Sequence, residues 1–310
     1  MRQEIERAAA AFRSDPANDD SPATLRVPVP VEPVNPLDWL QRQSLLPGLF
    51  WCQRDATWEM AGVGAAEQFT LDRPVDLESA ILRVRNAVEP GPDSLRYFGG
   101  CRFDYTREDA ERNSVWEGFP DCWFVLPRFE LLRYRDQCLL VTNIRDDELA
   151  EQHLNRIQER LSELDFSGSL NQSRSPDFTL VRHTPDFHDW AGGVDAALAL
   201  IQSEQFQKTV LARQTDLRLS EDILPWQLLS AIPGTESGYY RFGIQHRCGK
   251  TYLGASPERL YLRKGAAIET EALAGSRPRG STEERDRQLR IELQESDKER
   301  MEQEYVRDFI

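Results

Sequence analysis

Lys208 is the residue of this sequence whose type and position most strongly suggest chemistry. It is one of only four lysines in a chain whose lysines and arginines together number 38, so the chain is basic almost entirely through arginine. A guanidinium stays protonated in proteins, whereas an ammonium can lose its proton when its surroundings disfavour the charge. The run after Lys208 predicts a strand in which Lys208, Val210 and Ala212 share one face. Such a lysine could act as a base, although for the residue alone a solvated position at the start of a strand is the more frequent outcome.

Glu258 is the first candidate acid. It follows Pro257 at a predicted turn that leaves the strand Thr251–Leu253, where a short rigid loop could aim a carboxyl group inward. The alternative is a surface ion pair with Arg259 or Arg263, because glutamate is seldom buried in proteins.

Glu299 and Glu302 form a second candidate group. Ser281 with Glu284 and Ser296 with Glu299 have the spacing of capping boxes, which predicts two successive helices at the end of the sequence. Glu299 and Glu302 are three residues apart on the last helix and therefore face the same way. The alternative is an ordinary charged helix face.

The surrounding elements suggest a division into two halves. Residues 1–36 are predicted to be mostly irregular, because residues 13–36 are rich in Asp, Ser, Asn and Pro. Within them, residues 27–31 alternate valine with proline, which favours an exposed extended segment or an edge strand. Residues 37–166 are predicted to be mainly β, closed by an amphipathic helix over Asp146–Leu164. Residues 167–183 are polar and are predicted to be a linker to residues 184–310.

In the second half, a helix is predicted to deliver the chain to Lys208. Thr184 would cap it and Pro185 would occupy its first position. Another helix is predicted near Pro225–Ile232, followed by strands, two of which would pair across Lys264 and Gly265.

Composition limits the classes of partner. The formal net charge of −14 argues against nucleic acid or an anionic membrane as the main partner, because the overall field would repel both. The five cysteines are scattered, which is typical of reduced thiols rather than a zinc site or a disulfide framework. The sequence shows no secretory h-region and no apolar run of membrane-spanning length, so we expect a cytoplasmic protein with no obligate protein partner.

Four segments in fixed order carry a family resemblance. They are QKTVLAR at 207–213, GASPERL at 254–260, TEALAGSRPRG at 270–280 and SDKERMEQE at 296–304. Together they resemble the chorismate-utilising enzymes, the family that includes isochorismate synthases, salicylate synthases and the large subunits of anthranilate and aminodeoxychorismate synthases. The upstream segments PGLFWCQRD, AGVGAAEQF and RYFGGCRFD look like the N-terminal part of menaquinone-type isochorismate synthases.

The resemblance implies a role for Lys208 and Glu258. In this family water or ammonia attacks C2 of chorismate while the C4 hydroxyl leaves, which requires a base and an acid. Lys208 matches the base of the water-using members, since the ammonia-using members have glutamine there, and Glu258 matches the general acid. The implied activity is isochorismate synthesis, an isomerisation of the small molecule chorismate for menaquinone biosynthesis. The alternatives are a salicylate synthase, a siderophore-pathway isochorismate synthase and a non-catalytic truncated paralogue that acts as a binding subunit.

The resemblance also implies the substrate and metal residues. Gly275 and Ser276 match positions that bind the ring carboxylate through backbone N–H groups and a hydroxyl, although a plain tight turn is the alternative. Glu302 and Glu299 match carboxylates that help to hold Mg²⁺. Arg277 and Arg279 flank a turn and are expected to be solvated.

The fold implied by the resemblance is α+β, with two antiparallel sheets packed face to face and helices outside. Residues 184–310 would be the first part of a chorismate-binding catalytic domain. No glycine or proline ends the last helix before Ile310, so we expect a C-terminally truncated domain that lacks residues completing the metal and substrate sites. The 310-residue chain alone is therefore expected not to assemble a working site.

Overall fold

The computed structural model describes residues 1–14, 23–71, 76–88, 95–103, 114–167, 177–232, 238–247 and 249–310. The strands in chain order are β1 Thr24–Val31, β2 Gly48–Cys52, β3 Trp58–Leu71, β4 Phe98–Cys101, β5 Cys122–Tyr134, β6 Gln137–Arg145, β7 Phe178–Thr184, β8 Gln214–Leu219, β9 Tyr240–Arg247, β10 Lys250–Ser256, β11 Leu262–Lys264 and β12 Ala267–Glu269. The helices are α1 Arg2–Arg13, α2 Pro36–Gln41, α3 Leu77–Val88, α4 Glu151–Ser162, α5 Phe187–Gln202, α6 Pro225–Ala231, α7 Glu283–Glu295 and α8 Asp297–Phe309. The α+β class is confirmed.

An eight-stranded antiparallel sheet organises the first of two compact units, which comprises Met1–Ser175 and Ile223–Pro257. Seven of the strands follow the order β1-β6-β5-β3-β2-β9-β10, and the eighth, β4, pairs with β5 outside this order. Strand β5 is long enough to take two partners along one edge, with Cys122–Val125 paired to β4 and Phe129–Tyr134 paired to β6. The two long strands β3 and β5 therefore form the centre from which the rest of the sheet extends.

Helices cover one face of this sheet and build the core of the first unit. Period-two alternation directs one set of strand side chains, such as Phe50, Val63 and Phe129, to the covered face. Helices α1, α2, α4 and α6 add apolar side chains to the same cluster, among them the buried Trp39 and Leu229. Full burial of side chains of this size stabilises the fold by about 1.5–3 kcal/mol each before entropy is subtracted. The core of the first unit is therefore extensive.

The segment Ile223–Pro257 is part of this first unit although it lies late in the sequence. Strand β9 pairs with β2, and the buried Arg241 of β9 contacts Glu59 of β3 at 3.2 Å. A charge that is buried without a partner is costly, so the ion pair makes the position of β9 specific. The domain boundaries predicted from sequence stay a prediction.

The second unit comprises Pro176–Asp222 and Glu258–Ile310. It contains the strand pair β7 and β8, the hairpin of β11 and β12, and helices α5, α7 and α8. Leu289 of α7 is the one buried hydrophobic side chain among the described residues of this unit. Whether two sheets pack face to face, as predicted, stays a prediction.

The prediction that residues 1–36 are mostly irregular is wrong for the described part. Residues 2–13 form α1, which buries Ile5 and Ala9 against the core, and residues 24–31 form β1. Helix α1 is stabilised by tertiary packing, because a few apolar residues are enough to stabilise a helix that lies on an existing core. The expected edge position is confirmed for β1, where Pro28 and Pro30 lack the N–H that a second neighbour would need.

Most other predicted elements are confirmed. Helix α4, helix α6 and the hairpin across Lys264 and Gly265 have the predicted positions. The predicted cap of α5 is wrong, because Thr184 ends β7 and the side chain of Asp186 accepts the N–H of Asp189 at 3.0 Å. Most of the predicted linker, residues 168–176, lies outside the described residues. Throughout the described ranges, every helix is too short or too polar to span a bilayer.

Candidate active site

The segment that carries Lys208 differs from its prediction. Residues 208–213 form no strand, and β8 begins at Gln214. Val210 is 81% exposed and Ala212 is also exposed, so the expected apolar face around the lysine is absent. A strand requires a hydrogen-bonded neighbour, and in the described part of the chain no strand pairs with residues 208–213. The strand prediction for this segment is therefore wrong.

Lys208 instead contacts a carboxylate of helix α8. Its Nζ lies 3.7 Å from Oε1 of Glu302, and the two side chains are 30% and 40% exposed. The structure thus brings together two of the residues that the sequence analysis selected, the lysine and one carboxylate.

Glu299 lies at the first turn of the same helix, in a basic setting. The helix begins at the cap Ser296, whose hydroxyl accepts the N–H of Glu299 at 3.4 Å, as the sequence predicted. Oε1 of Glu299 accepts a hydrogen bond from Nη1 of Arg277 at 3.0 Å. The Arg277 guanidinium holds the pKa of Glu299 below its usual range. Glu299 is therefore an ionised, largely covered carboxylate.

Gly275 packs directly against Glu299. Its φ of +78° lies in the left-handed region, and a Cβ built on it would stand 2.7 Å from Oε2 and 3.2 Å from Cβ of Glu299. Both the backbone conformation and the space therefore require glycine. Ser276 is exposed, and its carbonyl accepts a hydrogen bond from Nη1 of Arg277 at 2.8 Å.

Arg277 is the residue that the sequence analysis missed. The expectation of a solvated arginine is wrong for Arg277, whose side chain is 28% exposed and bound to Glu299. It holds for Arg279, which is 88% exposed and pairs with Asp286 at 2.7 and 2.9 Å. The two arginines are two residues apart in a segment without regular structure. No periodicity in the sequence could therefore have predicted which of them is partly buried and which is solvated.

Glu258 is the residue that matches the general acid. It is exposed and follows Pro257 directly after β10, as the predicted turn required. Arg259, which was its candidate surface partner, contacts Glu269 at 3.4 Å and Glu271 at 3.1 Å. Nε of the other candidate partner, Arg263, donates to the carbonyl of Gly265.

The predicted start of α7 is shifted by one residue. Thr282, rather than Ser281, is the N-cap, and its hydroxyl accepts the N–H of Arg285 at 3.2 Å. Both residues can cap a helix, and the tertiary path of the turn after Gly280 selects between them. The shift leaves the position of α8 unchanged.

The donor set on α8 fits a divalent cation that retains water. Glu299 and Glu302 lie three residues apart and offer two carboxylates, and Mg²⁺ is commonly bound by one or two carboxylates with waters and substrate oxygens. Within the described ranges no group of three or more His, Cys, Asp or Glu side chains could hold a metal on its own. Glu302 pairs with Lys208, and Glu299 pairs with Arg277 and, at 3.8 Å, with Lys298, so a cation would have to compete with these basic groups.

The family of the chain follows from its similarity to known proteins. Residues 6–310 match the model of the family described as chorismate binding enzyme, and the chain belongs to that family. The fold described above is thus that of a chorismate-binding enzyme.

Individual relatives narrow the comparison. The chain is 27% identical to isochorismate synthase 2, chloroplastic, of Arabidopsis thaliana over 98% of this chain and 58% of that protein. It is 30% identical to isochorismate synthase MenF of Bacillus subtilis (strain 168) over 67% of this chain and 44% of that protein. The solved structure of the menaquinone-specific isochorismate synthase MenF from Escherichia coli matches with a TM-score of 0.75 at 25% identity, over 99% of this chain and 67% of that one. The chain spans about half the length of the relatives it matches, with 58%, 44% and 52% of the first three covered.

Proposed function

We propose that the protein is an isochorismate synthase, which converts chorismate to isochorismate. The observation that carries the proposal is the pairing of Lys208 with Glu302 in a chain of the chorismate-binding family. The water-using members place a lysine at this position, and here that lysine lies against a carboxylate of the helix that would face the substrate.

Lys208 and Glu258 would share the proton transfers. Lys208 would take a proton from the water that attacks C2, and Glu258 would give a proton to the C4 hydroxyl, which leaves as water. One water enters and one water leaves, so the reaction is an isomerisation. The 3.7 Å contact between Lys208 and Glu302 places the proposed base beside a proposed metal ligand.

Gly275 and Ser276 would bind the ring carboxylate, and Glu302 and Glu299 would hold Mg²⁺. Because Gly275 has a left-handed backbone and no Cβ, its main chain can lie close to the carboxylate of Glu299. When bound, Mg²⁺ would supply positive charge to the substrate carboxylate. Arg277 would keep Glu299 ionised and in place until then.

The finer assignments are menaquinone biosynthesis, a cytoplasmic location and residues 184–310 as part of the catalytic domain. The menaquinone role is supported by the fold match to MenF, with a TM-score of 0.75 over 99% of this chain. The match to the structure titled as a putative 2,3-dihydroxybenzoate-specific isochorismate synthase has a TM-score of 0.58 over 87% of this chain, and at 20% identity it speaks for the fold alone.

Product analysis tests the proposal. The protein encoded by the complete reading frame would be incubated with chorismate and Mg²⁺, and the products would be separated by chromatography. Isochorismate without pyruvate is the expected result, and Glu258→Gln should lower turnover by roughly 100- to 10,000-fold if the carboxyl group is the acid.

Every other result of the product analysis would indicate an alternative function. Salicylate with pyruvate would replace the proposal by a salicylate synthase. Anthranilate formed with ammonia would show that Lys208 does not select water. No turnover in a folded protein that binds chorismate would support a non-catalytic binding subunit.

A further inference from the structure

Two cysteines that are far apart in the sequence lie opposite each other in the sheet of the first unit. Cys101 ends β4, Cys122 begins β5, and the antiparallel register pairs them directly. Residues opposite each other in an antiparallel pair direct their side chains to the same face. The scattered cysteines of the sequence therefore include one cross-strand pair.

The hydrogen bonding of this strand pair places the two thiols especially close. The N–H of Arg102 donates to the carbonyl of Asp121 at 2.7 Å, which marks Arg102 and Asp121 as a hydrogen-bonded pair. Hydrogen-bonded and non-hydrogen-bonded pairs alternate along antiparallel strands, so Cys101 and Cys122 form a non-hydrogen-bonded pair, for which Cα atoms are about 4.5 Å apart. Disulfides span Cα separations of roughly 4.4–6.8 Å, so the backbone already suits a bond.

The surroundings assign different roles to the two thiols. Cys122 is buried beside Ala80, whereas Cys101 is partly exposed. Burial, followed by the hydrogen bond and the proximity of Cys101, raises the pKa of Cys122 to about 12. Cys122 is therefore held as a thiol, and a soluble oxidant reaches Cys101 first.

The other described cysteines lack this arrangement. The thiol of Cys52 lies 3.4 Å from Oε1 of Glu59, and that of Cys138 lies 3.6 Å from the carbonyl of Val34. Both cysteines are buried, and Cys52 also contacts Arg241 at 3.7 Å. Cys248 lies outside the described residues.

We propose that Cys101 and Cys122 are a site of reversible oxidation that forms a cross-strand disulfide. With a peroxide, the Cys101 thiolate displaces hydroxide from the O–O bond and becomes a sulfenic acid. The Cys122 sulfur then attacks the Cys101 sulfur, and water leaves. Two thiols and one hydrogen peroxide thus give one disulfide and two waters, and a dithiol reductant restores both thiols by exchange.

The consequence is a covalent lock between β4 and the central strand β5. Among the described strands, β4 pairs only with β5. The disulfide would close the chain between residues 101 and 122 and restrict the opening of that edge. The site is independent of the proposed activity, since none of the residues proposed for catalysis belongs to it.

Peptide mapping after controlled oxidation tests the site. The full chain, and a matched Cys138→Ser variant, would be equilibrated in glutathione redox buffers and separately treated with hydrogen peroxide. Free thiols would then be alkylated, and cross-linked peptides identified by mass spectrometry before and after a dithiol reductant. We expect the 101–122 cross-link in both proteins and its loss on reduction, with the cross-link absent from Cys101→Ser.

Three results would overturn the proposal. They are alkylation of both cysteines after oxidation, a glutathione adduct or sulfinic acid on Cys101 without a cross-link, and a disulfide between either cysteine and a different partner. Hydrogen exchange of β4 amides provides a second readout, because the oxidised protein should exchange at least several-fold more slowly there than the reduced protein. Equal exchange rates in the two forms would show that the disulfide forms but does not restrict the opening of β4.

Discussion

The two units of the molecule differ in where stability and chemistry reside. The first unit has an eight-stranded sheet and a helix-covered core, whereas among described residues the second unit buries a single hydrophobic side chain, Leu289. Yet all six residues selected for catalysis, substrate or metal belong to the second unit: Lys208, Glu258, Gly275, Ser276, Glu299 and Glu302. Isolated two-stranded sheets are marginally stable in water, so we expect the second unit to be the less stable of the two. The proposed functional groups are thus concentrated in the unit with the smaller core.

The largest expected effect is on turnover and lies in the second unit. Lys208→Ala should lower turnover by roughly 100- to 10,000-fold, because it removes the proposed base. Lys264→Ala is the matched control, since Lys264 lies at the turn of the hairpin of β11 and β12. Steady-state kinetics of the protein from the complete reading frame would check both variants, and turnover retained by Lys208→Ala would contradict the base role.

The next effect separates the units by stability. Leu131→Ala in β5 removes a fully buried side chain and should lower the free energy of unfolding by about 2–5 kcal/mol. Leu260→Ala in the second unit removes a side chain that is 84% exposed and should change it by no more than about 0.5 kcal/mol. Urea denaturation followed by circular dichroism measures the difference. Similar losses for both leucines would contradict the contrast between the units.

A smaller effect is expected where backbone and site meet. Gly275→Ala adds a Cβ that collides with Glu299, so we expect turnover to fall by up to roughly 100-fold through displacement of that carboxylate. Gly265→Ala is the control, because Gly265 also has a positive φ, +59°, but nothing lies within 4 Å of its added Cβ. The positive φ should lower the free energy of unfolding of each variant by about 1–3 kcal/mol. Equal turnover in the two would show that the contact with Glu299 is irrelevant to catalysis.

The smallest effect concerns cation affinity. Arg277→Gln removes the shorter of the two ion pairs of Glu299, whose contact with Lys298 at 3.8 Å remains. It should tighten binding of Mn²⁺, a probe for Mg²⁺, by up to about fivefold, since a partly exposed pair contributes no more than about 1 kcal/mol. Arg279→Gln removes the same charge from the solvated pair with Asp286 and should leave the affinity nearly unchanged. Electron paramagnetic resonance of free Mn²⁺ would measure both. Equal tightening would point to net charge alone, and weaker binding in Arg277→Gln would show that Arg277 instead holds Glu299 in a binding position.

Local patterns predicted a large part of the elements. The helices α4 and α6, the hairpin of β11 and β12 and the cap Ser296 depend on residues close together in the sequence, and all are confirmed. Predictions failed where contacts with a distant part of the chain determine the local secondary structure. Helix α1 is stabilised by a core built elsewhere, and residues 208–213 lack the neighbour that a strand needs.

The sequence by itself determined the family and the chemical types at the site, because four short motifs in fixed order carry both. Only the tertiary structure decided which of these groups meet. It paired Lys208 with Glu302 and placed Cys101 opposite Cys122. It also gave Arg277 and Arg279 different partners, Glu299 and Asp286. The physical reason is that residue type and local periodicity are properties of short segments, whereas an ion pair or a cross-strand pair depends on the path of the chain between residues that are far apart in sequence.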